Sequence, residues 1–158
     1  MAVTISIRTK LLAAPEVTAL VGDRIFADGE LPQGTAYPAL VLTQISAVPV
    51  RDLLKTTRHS RCRIQLECWA ATRTEAIAVV AAARRALDYQ PLGDAEGWTI
   101  GPAKIRNIRN IPSFYSNLRG RSFDLDLIAS KGVVIILQIV THNGETVTHN
   151  GEDVTYYG

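Results

Sequence analysis

Arg61-Cys62-Arg63-Ile64-Gln65-Leu66-Glu67-Cys68-Trp69 alternates apolar and polar side chains without a break. A period of two sends Cys62, Ile64, Leu66 and Cys68 to one side of an extended chain and Arg61, Arg63, Gln65 and Glu67 to the other. A strand buried on one face only belongs to an antiparallel sheet with an open side. Just beyond it, Thr72-Arg73-Thr74-Glu75 has the form of a capping box, in which the first hydroxyl and the last carboxylate close each other's helix-start amides. Ile77, Val80, Ala81, Arg84 and Leu87, with Ala76, Val79 and Ala83, continue as an apolar helical stripe. The spacing predicts about four helical turns ending near Asp88, before Pro91. The many alanines let that helix lie close to a sheet.

Downstream, Arg121-Ser122-Phe123-Asp124-Leu125-Asp126-Leu127-Ile128 alternates again, with Phe123, Leu125 and Leu127 inward and Asp124 and Asp126 outward. Paired with the first strand, it sets acids against arginines on one exposed face, where each cross-strand ion pair contributes at most about 1 kcal/mol. Trp98-Thr99-Ile100 and Ala103-Lys104-Ile105-Arg106-Asn107-Ile108 read as short strands around Gly101-Pro102. Upstream, Ile5, Ile7, Leu11 and Leu12 predict a helix over about 4–14, stopped by Pro15. Pro15-Glu16-Val17-Thr18-Ala19-Leu20 makes one further turn with Gly22 as its left-handed cap. After the turn-rich Asp28-Gly29-Glu30-Leu31-Pro32-Gln33-Gly34 comes a strand, Pro38-Ala39-Leu40-Val41-Leu42-Thr43-Gln44-Ile45. The fold class expected is α+β: a mainly antiparallel sheet with two helices packed on one face, plus a C-terminal β-meander.

The meander is written in a near-repeat. Val140-Thr141-His142-Asn143-Gly144-Glu145-Thr146 is followed by Val147-Thr148-His149-Asn150-Gly151-Glu152-Asp153. Each Asn-Gly marks a type I′ hairpin turn. So short a ribbon needs something to lie against, its own sheet or a neighbour's. The division expected is an α+β domain over 1–131 and a β-hairpin extension over 132–158. Of 158 residues 47% are hydrophobic, enough for one core. Net charge is +2, but all 17 Lys and Arg precede residue 132, whereas the tail holds only Glu145, Glu152 and Asp153. Opposite charge on body and tail suits docking of one on the other, within the same chain or on the next copy.

Several function classes are disfavoured. The N-terminus has no apolar signal core, and no apolar run, 133–137 included, comes near the roughly 20 residues that span a bilayer. A soluble protein with no membrane partner is expected. Cys62 and Cys68 share one strand about 20 Å apart, beyond disulfide reach, and read as buried thiols in a reducing compartment. His142 and His149 are seven residues apart without the Cys or carboxylate partners that a metal needs. No nucleophile elbow, phosphate loop or dinucleotide glycine pattern occurs, so neither enzyme activity nor a cofactor is expected.

Pro15, Val17-Thr18-Ala19-Leu20-Val21-Gly22-Asp23-Arg24-Ile25-Phe26, Leu31-Pro32-Gln33-Gly34, Tyr37-Pro38-Ala39-Leu40-Val41, Gln65-Leu66-Glu67-Cys68-Trp69-Ala70 and Arg121-Ser122-Phe123-Asp124-Leu125 follow one another in an order and spacing that matter together. Over about 8–130 they resemble the tail-completion, or tail-terminator, proteins of long-tailed bacteriophages and prophages. The resemblance stops near Lys131. It implies a structural virion subunit, without catalysis, that forms a typically hexameric ring on the head-proximal end of the tail tube. Such a ring ends tube polymerisation and offers a surface to the neck (head-closure) proteins, and genomic DNA passes through it. Assembly would take place in the bacterial cytoplasm.

Two surfaces are candidates for that work. The long connection 46–60 mixes Val48, Val50, Leu53 and Leu54 with Arg51, Lys55 and Arg58, an apolar contact ringed by charge for a neighbouring subunit or the tube. The alternative is a hairpin folded back on its own core. The C-terminal ribbon, through Ile135, Leu137, Ile139, Val147, Val154 and Tyr156, could extend a partner's sheet or complete its own. Two rival functions stay open: a tail-tube or neck structural protein, and a small basic nucleic-acid binder. The binder would use Arg58, Arg61, Arg63, Arg106, Arg109, Arg119 and Arg121, with Phe114 and Tyr115 to stack on bases. Glu67, Asp124 and Asp126 on the same face weigh against it.

Overall fold

The computed structural model describes residues 2–50, 59–112 and 117–131. The strand quoted first is β3, His59–Ala70, and the second alternating strand is β7, Arg119–Lys131. They pair antiparallel along their whole length, with Cys62 opposite Leu127, Ile64 opposite Leu125 and Leu66 opposite Phe123. Those six side chains are buried, and each large one contributes about 2 kcal/mol relative to exposure.

Helix α3, Arg73–Leu87, opens on the expected capping box. The Glu75 amide donates to the Thr72 hydroxyl at 3.2 Å and the Thr72 amide to the Glu75 carboxylate at 3.1 Å. Its buried side is rotated from the predicted stripe: Ala76, Val79, Val80, Ala82, Ala83, Ala86 and Leu87 face inward, and Ile77 is exposed. Four of these seven are alanines, so the choice of face is set by how closely the backbone can approach the sheet.

Helix α1, Ala2–Leu12, buries Val3, Ile7 and Leu11 four residues apart, and also Thr4 and Ser6. The Ser6 hydroxyl donates to the Leu92 carbonyl, which satisfies it inside the core. A third helix, α2, Pro15–Val21, starts on proline and ends at Gly22, whose φ of 59° suits glycine. It packs on α1 and α3. The expected pair of helices is therefore joined by this short third one.

The sheet is larger than the alternation showed. Strand β1, Ile25–Phe26, pairs parallel with β2, Ala39–Pro49, which pairs antiparallel with β3. On the far side of β7 lie the hairpin β4–β5, Gly93–Ala95 and Trp98–Ile100, and the strand β6, Lys104–Ile111. Seven strands are thus mostly antiparallel, in the order β1-β2-β3-β7-β5-β4, with β6 sharing the outer edge of β7. The α+β expectation holds over the described residues, where no helix is long and apolar enough to cross a membrane. The C-terminal meander lies outside the described residues.

Candidate assembly surfaces

The connection read as a fifteen-residue loop begins as ladder. β2 continues to Pro49 and β3 starts at His59, and the Val50 amide donates to the His59 carbonyl at 2.9 Å. Residues 46–50 and 59–60 are therefore the outer rungs of a β2–β3 arm, where β3 is still paired with β7. Its register slips between Gln44 and Ser46, a bulge that turns Ile45 out of the ladder. Ile45, Val48 and Val50 are 47%, 59% and 45% exposed, and Ile128 beside them is 52% exposed. Val48, Arg61 and Ile128 stand opposite one another on three adjacent strands, an aliphatic row with one guanidinium in it. Over its described residues the arm is not covered by the core. Of the candidates in this connection Val48 and Val50 are exposed on the ladder, whereas Arg51, Leu53, Leu54, Lys55 and Arg58 lie outside the described residues, as do all six C-terminal ribbon candidates.

The free edge of β2 here is poorly suited to strand addition. Because Val50 and Val48 turn their backbone groups to β3, Ala47 and Pro49 face the open side, and proline carries no donor. The bulge disrupts the same edge.

The face of β3 and β7 away from the helices holds a chain of polar contacts. The Trp69 indole donates to Glu67 at 3.2 Å, the Gln65 amide donates to Glu67 at 2.6 Å, and Arg109 donates to Gln65 at 3.1 Å. Arg109 also lies 3.5 Å from Asp124, and Arg106 is 2.9 Å from Asp126. Asp124 departs from expectation. It does point away from the helices, but its side chain is only 1% exposed. The cause is a second bulge, between Arg106 and Arg109 on β6, where Asn107 takes a φ of 52°, a left-handed value that asparagine tolerates. There Asn107 donates to Asp124 at 2.9 Å, and Arg63 does so at 2.5 Å from the other side. Burial pushes the Asp124 carboxyl up, but the hydrogen bonds from Asn107 and Arg63 and the charges of Arg63 and Arg109 outweigh it and hold it below the usual carboxylate value. Its Oδ1 and the Ser122 hydroxyl are buried without a partner among the described residues.

This ladder bears on the nucleic-acid reading. Arg63, Arg106 and Arg109 are each engaged by a carboxylate, and Arg121 binds the Asn110 side chain at 3.2 Å. Two carboxylates, Asp124 and Asp126, thus offset part of the charge of these four arginines, which weakens the strip as a phosphate track. The thiols are equally occupied with structure. Burial, with the charge of Glu75, pushes Cys68 up to about 12, and burial raises Cys62. Both remain protonated and unreactive near neutrality. Among the described residues, no three His, Cys, Asp or Glu side chains converge as a metal site would require. His142 and His149 are outside the described residues.

At the opposite end of β3 from the arm, the connector 27–37 crosses the same open face and leaves a cavity of about 730 Å³. Leu31, Pro32, Tyr37, Val41, Trp69 and Leu118 wall it, together with Glu67. Gly120 makes this wall possible: a Cβ there would lie 2.9 Å from both the Trp69 ring and the Ile111 side chain. The sequence did not announce this site, because connector and strand are far apart in the chain; Trp69 ending the alternation was the one available sign.

Comparison with known proteins completes the picture. The family model described as "Tail completion protein gp17" matches residues 5–114. No curated protein matches. Among solved structures, a chain described as "Virion of native gene transfer agent (GTA) particle" superposes with a TM-score of 0.65 at 16% identity, covering 82% of this chain and 95% of that one. At that identity the likeness is one of fold.

Proposed function

Since the chain belongs to the bacteriophage tail completion family, a family of structural tail proteins, we propose that it is the subunit of a hexameric ring at the head-proximal end of the tail tube. The ring stops tube growth, presents its outer surface to the neck proteins, and lets genomic DNA pass without sequence readout. The observation that carries this reading is the β2–β3 arm. A monomer has no use for four aliphatic side chains held clear of its core, whereas an interface centre does. The pairing of Arg63, Arg106 and Arg109 with Asp124 and Asp126 supports a structural role over nucleic-acid binding.

Negative-stain images of the purified protein, alone and mixed with tail tubes, test it. Closed annuli that cap tube ends are expected. Open polymers would instead favour a tube protein, and particles that neither close nor cap would end the ring reading.

A further inference from the structure

The two open-face features lie at opposite ends of one strand, and they complement each other. β3 starts at His59, on the arm, and the cavity lies at Trp69, roughly 33 Å away along an extended chain. On the arm, apolar Ile45, Val48 and Val50 are exposed, and its sequence continues Arg51-Asp52-Leu53-Leu54-Lys55-Thr56-Thr57-Arg58. Three bases and one acid accompany two leucines there, with exposed Arg61 at the base.

The cavity shows the reverse charge. Glu67 is among its lining residues, and exposed Asp28 and Glu30 flank Gly29 and Leu31 on its rim. No Lys or Arg occurs anywhere in the connector 27–37. Arg119, next to Leu118, turns a guanidinium nitrogen back to the Leu118 carbonyl at 3.0 Å. The walls of Trp69, Tyr37, Leu31 and Pro32 supply the aromatic and aliphatic surface that anchors a branched apolar side chain. The volume of about 730 Å³ exceeds what one leucine fills, so two neighbouring leucines with their backbone suit it better than one.

We infer that the cavity between the connector 27–37 and Trp69 receives the arm segment 51–58 of a second copy, with Leu53 and Leu54 against the apolar walls and the basic residues over Glu67, Asp28 and Glu30. This deepens the ring reading and rests on it. A knob at one end of the strand and a cavity at the other make a heterologous contact, the kind that generates a ring when its rotation closes. It also explains why the β2 edge can be blunted by Pro49 and a bulge: closure here uses an anchored tip, not a shared sheet.

A mixing experiment separates this contact from ring formation as such. One variant, Leu53→Ser with Leu54→Ser, disables the tip and keeps the cavity. The other, Leu31→Arg, disables the cavity and keeps the tip. Asp28→Lys with Glu30→Lys, both exposed, serves as a second cavity variant that leaves the packing untouched. Each alone is expected to sediment as a monomer where the wild type forms rings, and to lose tube capping. An equimolar mixture of tip and cavity variants should give one-to-one dimers and nothing larger. The rim variant should weaken association by roughly tenfold or more, and Lys55→Glu with Arg58→Glu in the same chain should restore it. Wild-type rings together with intact rings from either leucine variant, or a mixture that stays monomeric, would overturn this contact and leave the ring standing. Absence of wild-type rings, in solution and on tubes, would overturn the ring itself.

Discussion

Residues 39–42 and 47–50 lie on one side of the same hairpin, are comparably apolar, and meet opposite fates. Ala39, Leu40, Val41 and Leu42 are buried, while Val48 and Val50 stand clear of any cover among the described residues. The inner stretch is flanked in the sheet by β1, and the connector meets it at Val41; the pairing with β1 goes no further than Val41. Apolar composition in a strand therefore says that something covers it, not that its own chain does. In a structural tail protein, the uncovered half is where assembly is to be sought.

The largest effect expected on the folded subunit lies in the inner half. Leu42 is fully buried opposite Leu66, and Leu42→Ala removes packed methyl groups and leaves a cavity, a loss of about 3 kcal/mol. Chemical denaturation measures it directly. A loss below about 1 kcal/mol would mean that this half is no better packed than the arm, and the contrast would fail.

Next comes the open face of the sheet, which is polar yet partly buried. Asp124→Asn keeps the shape but removes the charge that Arg63 and Arg109 share, costing about 2 kcal/mol at neutral pH. The cost is held down because those guanidinium groups are 43% and 45% exposed and can return to water. The pH dependence has a definite sign. A carboxyl held below its unfolded value binds its proton less readily when folded, so its stabilisation is complete above the unfolded pKa of about 4 and is lost as pH falls below it. Denaturation midpoints of wild type and Asp124→Asn should therefore stay apart down to about pH 4 and converge below it. A gap that widened in acid would show that Asp124 is destabilising and that the ladder is held by other contacts.

How much of this could be read from the chain varies with the physics of each part. β3 was plain because every second residue from Cys62 to Cys68 is apolar and the whole strand keeps one register. α3 was plain at its start, where Thr72 and Glu75 form a local motif, but its buried side was misjudged. An alanine-rich helix presents two overlapping stripes, and only the approach to β3 and β7 chooses between them. β6 hid its bulge, since Ile105, Ile108 and Ile111 fall three residues apart and mimic a helical spacing. With the bulge hidden, so was the burial of Asp124, which depends on Asn107 folding across from a different strand. The exposure of Val48 and Val50 was legible because they lie in a connection rich in charge as well as apolar residues. The Trp69 cavity was not, because it is made by a connector and a strand end that meet only in the fold.

The smallest effect on folding is expected where the effect on assembly is greatest. Val48→Ser changes an exposed side chain on a strand already paired with Arg61, and stability should move by no more than about 0.5 kcal/mol. The same substitution puts a hydroxyl into the centre of the aliphatic row formed with Ile128, where an apolar partner would have to desolvate it. Unfolding curves that overlay the wild type, together with fewer closed rings by ultracentrifugation, are the expected pair of results. Were Val48→Ser to unfold the subunit like Leu42→Ala, the arm would be part of the core after all. Were it to leave both stability and ring formation unchanged, the exposed row would be ordinary surface and the contact would lie wholly at the tip, in Leu53 and Leu54. Only the combination of intact folding and lost assembly keeps the two halves of β2 distinct in role.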